Sequence, residues 1–212
     1  MIKTFQTGGN RNLGYLVADD ATKHAVVIDP SYDPEGIATF ASDNGYNVVY
    51  VFNTHDHHDH TNGNEAFAAQ SGIHALKFGD ADPSTGRVVE DGAEFPLGDS
   101  SIRILHTPGH TPDSICLLID GALFTGDTLF VGKVGGTDLD SGARTEYDSL
   151  HKKLMTLPGN TQVYPGHDVG IQPQSTIQHE RDTNPFLLRR DVDSFIDLKA
   201  NWAEYKKEHG IE

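Results

Sequence analysis

Short apolar runs alternate with sharp polar breaks along this chain, and the runs follow two different periods. Leu13 to Ala18 and Ala25 to Ile28 are compact apolar segments ending at Asp19-Asp20 and Asp29-Pro30, which predicts two strands closed by turns. Pro34 to Ser42 carries Ile37 and Phe40 at helical spacing and stops near Gly45. Val48 to Phe52 is a β-branched strand that runs directly into Asn53-Thr54-His55, and Asn62 to Gln70 reads as a helix ending at Gly72. Asp80 to Gly98, rich in Asp, Gly and Pro, reads as loop with one hairpin. Ile102 to Leu105 predicts a strand that leads into His106-Thr107-Pro108-Gly109-His110. Ser114 to Ile119 and Ala122 to Thr125 flank Asp120-Gly121, a strong hairpin signal. Gly132 to Gly142 reads as a glycine-rich loop, and Tyr147 to Leu157 sets Leu150, Leu154 and Leu157 on one helical face. Thr161 to Tyr164 is a last strand before Pro165-Gly166-His167. From Asn184-Pro185 one amphipathic helix is expected, with Leu188, Val192, Phe195, Trp202 and Tyr205 on its apolar face.

Strands and helices are mixed in both halves without regular β-α-β alternation. The pattern predicts an α/β protein of the α+β type, two packed sheets with helices outside. Residues 1–183 form the sandwich in this reading, and residues 184–212 form a helix that covers it, rather than a dimer contact through Trp202 and Tyr205.

Charge narrows the class of partner. Among 212 residues, 16 are Lys or Arg and 31 are Asp or Glu, giving a net charge of −15. That excludes the basic face a nucleic-acid binder needs and gives no attraction to an anionic membrane. Met1 to Gly9 contains no apolar leader and no run of about 18 apolar residues occurs, so a soluble, cytoplasmic protein is expected. The single cysteine, Cys116, lies in the apolar run Ile115 to Ile119 and reads as a packed thiol.

Histidine changes the picture further, because seven of the 12 fall in three short segments, 55–60, 106–110 and 164–167. His55-Asp56-His57-His58-Asp59-His60 follows a buried-looking strand, where unpaired ionisable side chains would be costly. Imidazole and carboxylate suit Zn, Fe or Mn. In extended backbone His55 and His57 point to the same side, while Asp59 and His60, at the start of the next helix, turn toward a second position. A solvated capping loop is the alternative account of this one segment. Three further segments share one design, an apolar strand, then glycine, then a ligand-type residue: Thr107-Pro108-Gly109-His110, Phe124-Thr125-Gly126-Asp127 and Tyr164-Pro165-Gly166-His167. Ligands placed at several strand ends make a preorganised site.

Together these segments resemble the metallo-β-lactamase fold superfamily, over nearly the whole chain from the first hairpin to His167. The resemblance implies an αββα sandwich with metals at one edge. It further implies that His55, His57 and His110 bind a first metal, that Asp59, His60 and His167 bind a second, and that Asp127 bridges both. Within the superfamily the chain is similar to the glyoxalase II-like hydrolases, through Phe124 to Phe130 and Asn184-Pro185-Phe186. The implied activity is hydrolysis of a small-acid thioester by water activated between two divalent ions, zinc first and iron or manganese also suited. Asp59 and Asp127 are then catalytic, orienting the water. Persulfide dioxygenases are near relatives and imply instead a single Fe(II) on His55, His110 and Asp127. A non-catalytic metal module is the third reading; structural zinc sites are closed and four-coordinate, and seven ligand-type residues point to an open one.

Two departures bear on substrate. Where these relatives carry a Gly-Arg pair after the bridging Asp, this chain has Val131-Gly132-Lys133-Val134-Gly135-Gly136-Thr137-Asp138, without Arg. The basic helical region that contacts glutathione is short here, since only residues 168–212 follow His167. Lys133 becomes the candidate contact for a substrate carboxylate. Asp29, closing a strand beneath the metal edge, is the candidate partner that orients a ligand histidine. His58 reads as solvent-facing, His106 as orienting its loop, and His24, His74, His151, His179 and His209 as surface residues.

Overall fold

The computed structural model describes residues 1–211, so the last residue of the 184–212 segment lies outside the described residues. The first half builds a five-stranded sheet. Strands β1 (Ile2–Gly8), β2 (Asn12–Ala18) and β3 (His24–Ile28) are antiparallel neighbours. After helix α1 (Pro34–Asp43), strand β4 (Asn47–Phe52) joins parallel to β3. Asp33 caps α1 by accepting from the Gly36 amide, with Pro34 in the first turn, where its missing N–H costs nothing. A single turn α2 (His58–Thr61) and helix α3 (Asn64–Ser71) lead to the short edge strand β5 (Ala75–Leu76).

The second half builds a six-stranded sheet from β6 (Glu94–Leu97), β7 (Ser100–His106), β8 (Ile115–Ile119) and β9 (Ala122–Gly126), a run of antiparallel hairpins. Beyond a small ribbon, β10 (Leu129–Phe130) with β11 (Lys133–Val134), comes helix α4 (Ser141–Asp148). Strand β12 (Gln162–Pro165) then joins β9 in parallel, with β13 (Ser175–Thr176) at the sheet edge. Helices α5 (Ile177–Thr183), α6 (Val192–Ala200) and α7 (Trp202–His209) follow.

Strand alternation sorts the apolar residues into three layers of contact. Tyr15, Val17, Val26, Ile28 and Phe52 of one sheet pack on Phe95, Ile102, Ile104, Leu117 and Phe124 of the other. On the outer face of the first sheet Leu16, Val27 and Val51 meet Ile37, Ala41 and Phe67 of α1 and α3. On the outer face of the second, Leu105, Cys116, Leu123 and Val163 meet Ala143, Phe195 and Leu198 of α4 and α6. The order is helix, sheet, sheet, helix. No helix among the described residues is long and apolar enough to cross a membrane.

The structure corrects three element predictions. The helix expected over 147–157 begins at Ser141, passes through a π-helical turn (Ser149–Lys153) and ends in a 3-10 turn (Leu154–Thr156). Its start is hidden in the glycine-rich stretch, where the Asp138 carboxylate accepts from the Asp140 and Gly142 amides. The single helix expected from Asn184 is instead a turn followed by α6 and α7. The Asn184 side chain accepts from the Phe186 amide and donates to Glu180, so Asn184-Pro185 closes α5 instead of opening α6. The α6 cap is Asp191, which accepts from the Ser194 amide, and Leu188 is exposed instead of packed. Helix α5 itself was not expected, because Ile177 is its one apolar residue.

Candidate metal centre

Four strand ends meet at one edge of the sandwich. Strand β4 delivers buried His55 directly after Thr54. His57, in extended backbone, caps α2, and that turn carries Asp59 and His60 on its next positions. Parallel pairing of β12 with β9 sets Pro165 opposite Gly126, and the Gly166 amide donates to the Gly126 carbonyl at 2.7 Å. Asp127 and His167 are therefore carried side by side. Gly166 is required here: a Cβ would lie 2.5 Å from Asp127 Oδ1 and 2.9 Å from the His60 ring.

The side chains form two trios with a carboxylate between them. His55 Nε2 and His110 Nε2 each lie 3.0 Å from His57 Nδ1. His60 Nε2 lies 3.2 Å from His167 Nε2, and Asp59 Oδ2 is 3.5 Å from the latter. Asp127 reaches both groups, with Oδ1 3.4 Å from His60 and Oδ2 3.7 Å from His110 and 3.3 Å from His167. All seven predicted ligands are brought into this one cleft.

The donor chemistry tests whether a cation fits. The Gly136 carbonyl can only accept, so His110 Nδ1, 2.7 Å away, carries the proton. The Asn10 carbonyl imposes the same on His167 Nδ1 at 2.8 Å, and the Asp29 carboxylate on His60 Nδ1 at 2.9 Å. Thr54 Oγ1 donates to Asp29, which leaves it to accept from His55 Nδ1. In their neutral form these four rings thus turn Nε2 lone pairs inward, toward one another. Asp127 Oδ1 is buried without a hydrogen-bond partner. Converging lone pairs and an orphaned carboxylate oxygen are what a divalent cation satisfies.

The electrostatics agree. Burial and the neighbouring His60 charge push His55 down to about 3, and burial also lowers His110. For His60, burial works against the charged ring, but Asp29 and Asp127 outweigh it and carry the pKa up to about 10. His167 is raised in the same way, burial being outweighed by Asp127. Asp127 is held far below the carboxylate range by His167 and His60, against the cost of its burial. A proton on His60 answers the same negative field that a metal would.

Several supporting residues escaped the sequence reading. Asn12, fully buried, donates to the Asp59 carboxylate at 3.0 Å and to the Asp59 carbonyl at 3.2 Å. Ser31 Oγ donates to the same carbonyl. Asn12 stands 47 positions from Asp59, and nothing local marks it beyond being a polar residue at the start of an apolar strand.

Asp29 hydrogen-bonds His60, one of the clustered histidines. His58 is exposed, and Asp56 turns outward to pair with Lys77. His106 stacks on Phe78 and its Nε2 meets the Pro112 carbonyl, which ties down the loop before His110. His74 and His209 are exposed, but His24, His151 and His179 are half-buried, a correction to their surface reading; His151 stacks on Tyr147. Lys133 is half-buried, its ammonium 5.5 Å from the Phe130 ring, and it forms no ion pair among the described residues. It lines a cavity of about 290 Å³ with Phe130, Leu139, Phe186 and Trp202, beside Gly136.

The sequence pattern of the metallo-beta-lactamase superfamily matches residues 8–167, which contain all seven ligand-type residues. The chain belongs to that superfamily. It is 35% identical over 182 residues to the mitochondrial persulfide dioxygenase ETHE1 of Bos taurus, an alignment covering 82% of this chain and 70% of that one. It is 37% identical over 168 residues to the hydroxyacylglutathione hydrolase of Nitrosococcus oceani, covering 74% and 62%. The crystal structure of ETHE1 from Myxococcus xanthus superposes with a TM-score of 0.85 at 32% identity, covering 95% of this chain and 91% of that one. The αββα architecture expected from the sequence is the architecture of this family, and the His and Asp cluster fits a divalent metal within it.

Proposed function

We propose that the chain is a dinuclear metal-dependent hydrolase of small-acid thioesters, of the hydroxyacylglutathione hydrolase kind. The observation that carries this reading is the second trio. Each of its members has a hydrogen-bonding support: Asn12 on Asp59, Asp29 on His60 and the Asn10 carbonyl on His167. Buried polar groups are costly unless satisfied, and three supports for ligands of an unused site would serve nothing.

In this proposal His55, His57 and His110 would hold one cation, Asp59, His60 and His167 would hold the other, and Asp127 would serve both. Bound there, the cations supply Lewis-acid charge that lowers the pKa of water and stabilises a developing oxyanion. Asp59 is the more open carboxylate of the site, and the Asn12 amide helps hold it ionised against partial burial. It is thus placed to accept a hydrogen bond from the attacking water and to orient it. Asp127, ionised throughout the working range, fixes the opposite side. The expelled thiolate is a good leaving group, so no strong general acid is needed.

A second reading, persulfide oxidation at one Fe(II) on His55, His110 and Asp127, is favoured by the extent of the likeness to the Myxococcus xanthus structure. One experiment separates them: metal analysis of protein purified without added metal, beside thioester hydrolysis and oxygen uptake with glutathione persulfide. Two metal equivalents and hydrolysis without oxygen uptake support the hydrolase. One iron with stoichiometric oxygen uptake overturns it.

A further inference from the structure

Behind His110, outside the ligand set, lies a buried ion pair. Lys199 of α6 and Glu146 of α4 meet with their charged atoms 2.5 Å apart, at 6% and 0% side-chain exposure. Such a pair is a poor source of stability, because removing both charges from water offsets their attraction. Its geometry shows another use. The Lys199 ammonium also donates to the Gly135 carbonyl at 2.6 Å, and the next carbonyl, Gly136, accepts from His110 Nδ1 at 2.7 Å. Glu146 lies directly under the other end of the same ligand's loop. A Cβ on Gly109, whose φ is +147°, would sit 2.3 Å from Glu146 Cβ. Ser149, one turn on, donates to the Pro108 carbonyl at 2.7 Å. Both sides of His110 therefore rest on the α4–α6 contact.

We propose that Lys199 and Glu146 are positioning residues for His110, and that the C-terminal helix α6 is a working support of the first metal trio as well as a cover. Glu146 fixes the ammonium, the ammonium fixes Gly135, and Gly135-Gly136 fixes the ring and its tautomer. Lys199 lies beyond the stretch that the family pattern matches.

The inference rests on the metal reading, and the test keeps the two apart. Zinc affinity is measured by chelator competition in an Asp59→Ala background, which removes a ligand of the second trio and leaves the first to report. Lys199→Met should weaken zinc binding about 10-fold, the lower end of what loss of a ligand's supporting contact costs. Lys199→Arg, which keeps the charge and a donor, should recover most of it. Lys199→Met with Glu146→Leu replaces the pair by apolar side chains; it should melt cooperatively near the parent temperature yet bind zinc as weakly as Lys199→Met. Parent affinity in that folded double variant, or in Lys199→Met, overturns the positioning role. Equal weakening in Lys199→Arg and Lys199→Met also overturns it. A parent that binds no divalent cation overturns the metal reading, and this inference with it.

Discussion

The Asp29 carboxylate binds His60 Nδ1 at 2.9 Å with one oxygen, and that oxygen also accepts from Thr54 Oγ1 at 2.7 Å. Its other oxygen accepts from the Thr54 amide at 2.9 Å. One buried side chain thus orients a ligand of the second trio and, through Thr54, the backbone and ring of His55 in the first. Asp29→Ala should lower metal affinity about 10–100-fold, the range for loss of a partner that orients a ligand. It should also cost about 1–3 kcal/mol of stability, because the Thr54 amide is left buried without an acceptor. Chelator competition and thermal melting check the two parts. Unchanged affinity would mean that His60 is oriented by something other than this carboxylate.

Asp127 reaches both trios, with one oxygen 3.4 Å from His60 and the other 3.7 Å from His110. Its ionised carboxylate reduces the repulsion between two cations, so Asp127→Ala should lose metal as well as turnover. Inductively coupled plasma analysis after gel filtration measures the first and a thioester assay the second. Full metal content with normal turnover would contradict a bridging position. Asp127→Asn, nearly isosteric but neutral, should fall between the two, keeping the fold while binding less metal.

The two buried histidines with opposite shifts set the acid–base behaviour of the metal-free protein. His60 is raised to about 10, so the stability it contributes is complete below its unfolded value of about 6.5 and is lost as pH rises through 10. His55 is lowered to about 3, so its contribution is present above about 6.5 and is lost as pH falls toward 3. The melting temperature of metal-free protein should therefore fall on both sides of neutrality on account of these groups. Metal loading at pH 8 should release about one proton from His60, because the ligand must be deprotonated. Calorimetric titration in buffers of different ionisation enthalpy reads that proton directly. No proton release at pH 8 would show that His60 is already neutral there.

The clustering of all seven ligand-type residues was legible in the sequence because each follows a strand or a tight turn, and strand ends are marked by local pattern. Their partners were legible only in part. Asp29 stood out because it closes a strand at the same edge, whereas Asn12 and Lys199 act across 47 and 64 positions, on Asp59 and on the Gly135 carbonyl respectively. A buried asparagine at the start of an apolar strand and a lysine on an amphipathic helix look the same as solvated ones until the chain folds. The helices of the second half were misread for a local reason. Asn184-Pro185 has the composition of a helix start, and only its hydrogen bond back to Glu180 shows that it ends one.

The proposed substrate choice is testable at Lys133. Its ammonium is half-buried, forms no ion pair among the described residues, and faces a cavity walled by Phe130, Phe186 and Trp202 beside the loop that holds His110. Burial lowers its pKa, and the neighbouring Lys206 lowers it further. An unpaired ammonium lining the cavity favours an anionic arm on the substrate, although the net charge of −15 opposes long-range steering of anions. The segment Val131 to Asp138 contains no Arg, so a glutathione thioester should be hydrolysed measurably but with a high KM. Lys133→Ala should raise that KM severalfold while kcat changes little, the signature of binding lost equally from ground and transition states. A thioester of a neutral thiol should show no such change. The comparison belongs at fixed ionic strength, since salt screens both the local contact and the global field. A drop in kcat at unchanged KM would move Lys133 from substrate binding to the reaction itself. Efficient turnover at low substrate concentration, indifferent to Lys133→Ala, would place the anionic arm on some other part of the cleft.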